Sequence, residues 1–348
     1  MTESISDTNI AFIISQPRSG SSLLQQLFSN HSRVHTVPEP WLMLHLVEGL
    51  RDSTDVDAGF NSEYAKTAVN NFLSSMPSGK KAYQQAIRKA ALCVYKKALE
   101  NRDEDIFLDK TPRYYHIIPE LIEVFPNARF LILVRNPIAV FASILDTNMN
   151  GSWELLFERR DRRHDIFTGP RCIAKAIDEY NSAVTITHYE KIVNSPVSEM
   201  ERICKELSLE FEENMTTYGN VPSSSETTFV DPKSVRSHDK PVTDYLNSWK
   251  STLDTPEKIH IGRRYIESLG HNLVNKLGYD YDSLILELKG MQSKDESILM
   301  SWDLLAKSTE ELSTWERVRR KALLSTHSRG RGLVGSLRAL AKSIVEYR

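Results

Sequence analysis

Three cysteines in 348 residues, Cys93, Cys172 and Cys204, are too few and too far apart for a disulfide framework or a zinc cluster, which fits a reducing compartment. No stretch approaches the roughly 20 apolar residues that span a bilayer. Glu3 and Asp7 stand where a secretory leader would carry basic residues. The expectation is therefore a cytoplasmic protein without a transmembrane segment. Internal repeats and low-complexity tracts are absent, which excludes solenoids and arrays. Net charge is nearly absent too, since 44 Lys and Arg against 46 Asp and Glu leave -2. The arginines at 159, 160, 162 and 163 lie among acidic neighbours, without the aromatic interleaving of a nucleic-acid surface. They read as a solvated helix face, and no nucleic-acid partner is expected.

What is present is ordinary globular composition, 40% hydrophobic and 26% charged, which excludes disorder for most of the length. The organising stretch is residues 10–24. Its first part, Ile-Ala-Phe-Ile-Ile, is wholly apolar and rich in β-branched residues, as in a strand buried on both faces of a parallel sheet. Pro17 and Gly20 break it, and Leu23, Leu24, Leu27 and Phe28 then recur at helical spacing. A strand, a tight loop and a helix aim backbone N–H groups and the positive end of a helix dipole at one point, where an anion can sit. Arg18 adds a fork of donors, and Ser19, Ser21 and Ser22 add hydroxyls. The leading glycine and the lysine of a Walker A loop are missing, so this is not a standard nucleoside-triphosphate loop.

Further along, residues 34–37 suggest a second strand, ending at Pro38-Glu39-Pro40, a rigid turn. Residues 51–79 turn polar, as an excursion outside the sheet would. Residues 82–100 carry a helical apolar face. The strand pattern Ile106-Phe107-Leu108 runs into Asp109-Lys110-Thr111-Pro112, where open α/β sheets bind ligands. The bland reading of Lys110 is a surface lysine paired with Asp109. The clearest strand, residues 129–134, closes on Arg135-Asn136-Pro137, and a helix begins there with Ser143 about two turns in. Residues 184–187 form another β-rich run before His188-Tyr189-Glu190, and residues 231–242 read as a basic loop. Strands alternating with helices predict a three-layer α/β/α domain around a central parallel sheet over residues 1–283, with residues 284–348 as a helical extension. In that extension Leu333, Leu337, Leu340, Ile344 and Val345 share a helix face, with Arg338 and Lys342 off it. This basic helix suits packing on the domain or a partner, with attachment to an anionic membrane surface as the alternative.

Taken together, these stretches resemble the sulfotransferases that use 3′-phosphoadenosine 5′-phosphosulfate. Pro17-Arg18-Ser19-Gly20-Ser21-Ser22 looks like that family's P-loop-like loop for the 5′-phosphosulfate. The Arg135-to-Ser143 spacing is similar to its 3′-phosphate motif, and the segment beginning His188-Tyr189-Glu190 to a recurrent strand-to-helix passage of the same fold. The ordered coincidence is more specific than any single motif. Glu39, Lys110 in Asp-Lys-Thr-Pro, and residues 233–242 resemble the tyrosylprotein branch, in which a glutamate is the base; bacterial enzymes share the layout. Cytosolic small-molecule sulfotransferases usually carry a loop lysine and a histidine after Lys-Thr, where this chain has Arg18 and Pro112.

The resemblance implies a donor held by Pro17, Arg18, Ser19, Gly20, Ser21, Ser22, Arg135, Ser143 and Tyr189, with Arg236, Ser237 and Lys240 closing over donor or acceptor. Glu39 would take the acceptor's proton, while Arg18 and Lys110 would neutralise charge on the sulfonate and the bridging oxygen. It implies no metal, a hydroxyl acceptor such as a glycan, lipid or small-molecule alcohol, and leaves a homodimer open. The rival readings are a P-loop kinase, which needs a magnesium site and a loop lysine, and a non-catalytic scaffold working through its basic C-terminal helix.

Overall fold

The computed structural model describes residues 5–51, 62–217, 238–291, 300–307 and 311–327. The chain divides into two compact units, residues 1–134 with 175–243, and residues 135–174 with 244–348. The first unit holds a five-stranded, all-parallel sheet built from β1 (Ile10–Ser15), β2 (Val34–Pro38), β3 (Ile106–Lys110), β4 (Arg129–Val134) and β5 (Val184–His188), in the order β2-β3-β1-β4-β5. Every residue of β1 and β3 is buried. Because successive side chains point to opposite faces, that pattern requires cover on both sides of the sheet.

From β1 the chain runs out to the edge strand β2, returns to β3 beside β1, then crosses to β4 and β5 on the other side of β1. Such a reversal opens a crevice at the carboxyl ends of the strands, the usual ligand site of an open parallel sheet. On one face Phe12 stacks on Phe130 at 5.3 Å between ring centroids and meets Phe125 at 5.6 Å and Tyr114 at 6.1 Å. Tyr95, from the long helix Gly79–Ala98, stacks on Phe107 at 4.8 Å.

Several local readings change. The polar stretch after Arg51 contains a helix, Ser62–Ser74, whose Tyr64 and Phe72 are 76% and 65% exposed. Tyr64, Ala65, Ala68, Val69, Phe72 and Leu73 recur at helical spacing, a signal that the polar composition of the stretch outweighs in the sequence. The arginine-rich stretch is not a solvated helix face throughout. After Trp153–Phe157 and the short helix Arg160–Arg163 come a turn of π-helix, His164–Thr168, and the helix Gly169–Glu179. Asp165 is fully buried and accepts from Arg162 at 3.1 Å, while Arg163 donates to the carbonyls of Leu156 and Phe157.

The second unit has its own core. Along the helix Pro137–Met149, Ile138, Phe141, Ile144 and Leu145 are buried with Trp249, Leu253, Ile261, Tyr265, Leu284, Leu288, Trp302 and Leu305. Residues after 284 thus share one core with residues that precede them. Close packing here leaves Gly262 no room for a side chain, since a Cβ would come within 2.9 Å of Leu253 and 3.1 Å of Ile138. The apolar C-terminal face at residues 333–345 lies outside the described residues. Among the described residues no helix is long and apolar enough to cross a membrane.

Candidate active site

The loop after β1 follows from its backbone. Gln16 and Ser19 are buried, and Ser19 N–H donates to Gln16 O at 3.3 Å, which turns the chain sharply. Arg18 and Gly20 both adopt left-handed backbone angles, φ 73° and 94°. Gly20 then serves as the cap of the helix Ser21–Ser29. A side chain at Gly20 would collide with the Tyr189 ring, so glycine is needed twice, for the angle and for the close approach. Tyr189 is itself buried at the start of the helix Tyr189–Asn194. The Ser19 hydroxyl, in a residue 1% exposed, has no hydrogen-bond partner among the described residues. A buried hydroxyl left without a protein partner beside the first-turn N–H groups of a helix is the donor set of an anion cradle.

The second cluster sits where β2 and β3 end. Their register pairs Val37 with Asp109 and Pro38 with Lys110, which sets Glu39 one residue beyond the neighbour of Lys110. Lys110 Nζ donates to Glu39 Oε1 at 3.1 Å, with the lysine side chain 1% exposed and the glutamate 16%. The other carboxylate oxygen, Oε2, accepts from the Trp41 indole at 3.1 Å. Arg113 lies over the Trp41 ring, 5.5 Å from its centroid. Since β3 also pairs with β1, Ile13 to Lys110, the pair lies at the same end of the sheet as the loop.

Lys110 is thus neither at the surface nor the partner of Asp109. Neighbouring side chains in a strand point to opposite faces. Asp109, fully buried, accepts from Tyr95 Oη at 2.7 Å, Tyr114 Oη at 2.9 Å and Thr111 Oγ1 at 2.8 Å. Burial pushes its carboxyl up to about 6, against the hydrogen bonds from the three hydroxyls. The tyrosines are in turn raised, first by burial and then by the Asp109 charge.

In the second unit, Arg135 is buried and donates to Tyr245 O at 2.8 Å, while Asn136 caps the following helix by accepting from Ile138 N–H at 3.1 Å. Ser143 is the one polar side chain between Pro137 and Leu145 and is only half-buried. Lys240 is exposed in the first unit. Arg236 and Ser237 lie outside the described residues. The first unit therefore gathers the loop, Tyr189, Glu39 and Lys110 around its sheet, whereas Arg135 and Ser143 belong to the second. Reading the sequence alone missed Trp41, Thr111, Tyr95 and Tyr114; the available signal was Asp109, an aspartate in a strand pattern that needs buried donors. Among the described residues no group of three or more His, Cys, Asp or Glu side chains is arranged to hold a metal.

Residues 11–213, more than half of the chain, match the sequence profile of the sulfotransferase family, and the chain belongs to that family. Over 138 residues it is 33% identical to the nodulation protein NoeE of Sinorhizobium fredii, a match covering 40% of this chain and 31% of NoeE. The chain thus spans about a third of that relative. A putative protein-tyrosine sulfotransferase of Caenorhabditis briggsae is 22% identical over 212 residues, 59% of this chain and 68% of that one. In structure, the sulfotransferase domain of the Synechococcus PCC 7002 olefin synthase shares the fold, with a TM-score of 0.50 and 22% identity over 80% of this chain and 97% of that domain.

Proposed function

We propose that the protein transfers a sulfuryl group from 3′-phosphoadenosine 5′-phosphosulfate to a hydroxyl acceptor, a glycan, lipid or small-molecule alcohol, with Glu39 as the general base. The observation that carries this reading is the Lys110–Glu39 pair held at the strand ends beside the anion loop. In the transfer, the acceptor oxygen forms a bond to sulfur, the bond from sulfur to the 5′-phosphate oxygen breaks, and 3′-phosphoadenosine 5′-phosphate leaves. Glu39 takes the acceptor's proton. On protonation it no longer neutralises Lys110, whose charge becomes available to the sulfonate and bridging oxygens as they gain charge. Arg18 supplies a second cation.

The residues present fit the donor. Loop N–H groups, the Ser19 hydroxyl and the glycine-floored cradle against Tyr189 suit its 5′-phosphate. Arg135 and Ser143 are assigned to its 3′-phosphate, the group that separates this donor from ATP.

The test is transfer of labelled sulfonate from the donor to a panel of glycans, lipid alcohols and phenols. A labelled product, with turnover lowered on the order of 10²- to 10⁴-fold by Glu39→Gln, supports the reading. Full turnover in that variant would move the base elsewhere, with His116 and His238 next in line.

A further inference from the structure

We propose that Asp109 is a positioning residue for Glu39, holding the turn that carries the glutamate through two hydroxyl relays and the Trp41 indole. Proton direction in these hydrogen bonds carries the argument. A hydroxyl has one proton to give and lone pairs to receive. Asp109 takes the protons of Thr111 and Tyr114, at 2.8 and 2.9 Å. Their lone pairs are thereby turned to the backbone beyond Glu39: Thr111 Oγ1 accepts from Trp41 N–H at 3.4 Å, and Tyr114 Oη accepts from Met43 N–H at 3.0 Å.

Two successive contacts thus pin the chain on either side of Leu42. Trp41 needs pinning, because its backbone is left-handed at φ 56°, a conformation a bulky side chain rarely adopts. Held there, its indole donates to Glu39 Oε2, while Lys110 from the same strand as Asp109 holds Oε1. Both carboxylate oxygens are therefore fixed by β3, one directly through Lys110 and one through Asp109, a hydroxyl and the tryptophan. Asp109 is fully buried, where an ionised carboxylate costs stability, and the proposed task of aiming Glu39 gives that cost a function.

Tyr95 marks the far end of the same network. It donates to Asp109 Oδ2 at 2.7 Å from the helix Gly79–Ala98 and interacts with Tyr114, which shares that oxygen, so it bears on the turn only through Asp109 and Tyr114. The consequence for catalysis rests on Glu39 being the base, but the contact itself does not.

The experiment uses the full chain labelled with ¹⁵N-tryptophan. It contains five tryptophans, and the Trp41 indole N–H resonance is assigned from Trp41→Phe. Glu39→Gln shows how that resonance moves when the carboxylate is lost. Asp109→Asn, whose amide can give protons to the two hydroxyls, is expected to move it in the same direction, as are Thr111→Val and Tyr114→Phe. Thr111→Ser restores the wild-type position, and Tyr95→Phe, one contact further from the turn, moves it less than Thr111→Val does.

Calorimetric affinity for 3′-phosphoadenosine 5′-phosphate is expected to stay within about twofold in these variants, because the anion loop is untouched. An indole resonance at its wild-type position in Asp109→Asn and Thr111→Val would overturn the proposal. So would an equal displacement in Tyr95→Phe, which would mark a general loss of packing. Should Asp109→Asn fail to fold, the Thr111 and Tyr114 variants decide. Wild-type protein that does not bind the nucleotide would instead sink the donor assignment, leaving the indole result to stand or fall separately.

Discussion

Replacing Gly20 by alanine should damage the anion loop through two separable effects. The first is backbone strain: at φ 94° an L side chain crowds its own carbonyl, at a cost of about 1–2 kcal/mol. The second is collision, because the new Cβ would overlap the Tyr189 ring, falling 2.8 Å from Cε2 and closer still to Cδ2. Tyr189 is buried and cannot swing away freely, so the overlap costs roughly 1–3 kcal/mol, as other overpacked sites do. The sum is roughly 2–5 kcal/mol for the single variant.

A double-mutant cycle separates the two, with urea unfolding of wild type, Gly20→Ala, Tyr189→Ala and the double variant. Removing the ring abolishes the collision and leaves the strain, so the double variant should be more stable than additivity predicts by roughly 1–3 kcal/mol. Strictly additive losses would show that the ring does not hold Gly20 in place. Gly20→Ala at wild-type stability would refute the loop geometry itself.

Two further outcomes follow from the same chemistry. Arg135→Ala should weaken binding of 3′-phosphoadenosine 5′-phosphate about 10- to 100-fold, the worth of a charge-assisted contact, with little effect on ADP; equal losses for both nucleotides, or none, would remove Arg135 from the 3′-phosphate site. Asp109 ties stability to pH: burial raises its carboxyl from 3.8 to about 6 in the folded protein, so its contribution is most favourable below about pH 4 and is lost as pH rises through about 6. Asparagine does not titrate, so the stability of Asp109→Asn relative to wild type should rise by at most about 3 kcal/mol between pH 4 and 7. A flat difference in denaturant unfolding across that window would contradict the assignment.

The parts of the site that a few neighbouring residues determine were legible without the structure. The strand, loop and helix around Gly20 need only an apolar run, two breakers and a helical stripe, all within residues 10–28. The parallel sheet was legible for the same reason, since buried strands alternate with helices. The Lys110–Glu39 contact was not, because its two residues are 71 apart and only the β2–β3 register joins them. The bland alternative, a surface lysine paired with Asp109, falls to the alternation of a strand, which sends the two side chains to opposite faces. The helix Ser62–Ser74 escaped because residues 51–79 were read by their polar composition, although Tyr64, Ala65, Ala68, Val69, Phe72 and Leu73 recur at helical spacing.

The central claim is the donor, and the measurement that tests it most directly is calorimetric titration of the full chain with 3′-phosphoadenosine 5′-phosphate beside ADP and ATP, without magnesium. The account predicts selective binding of the 3′-phosphorylated nucleotide. Preference for ATP, or no binding of any of the three, would contradict it.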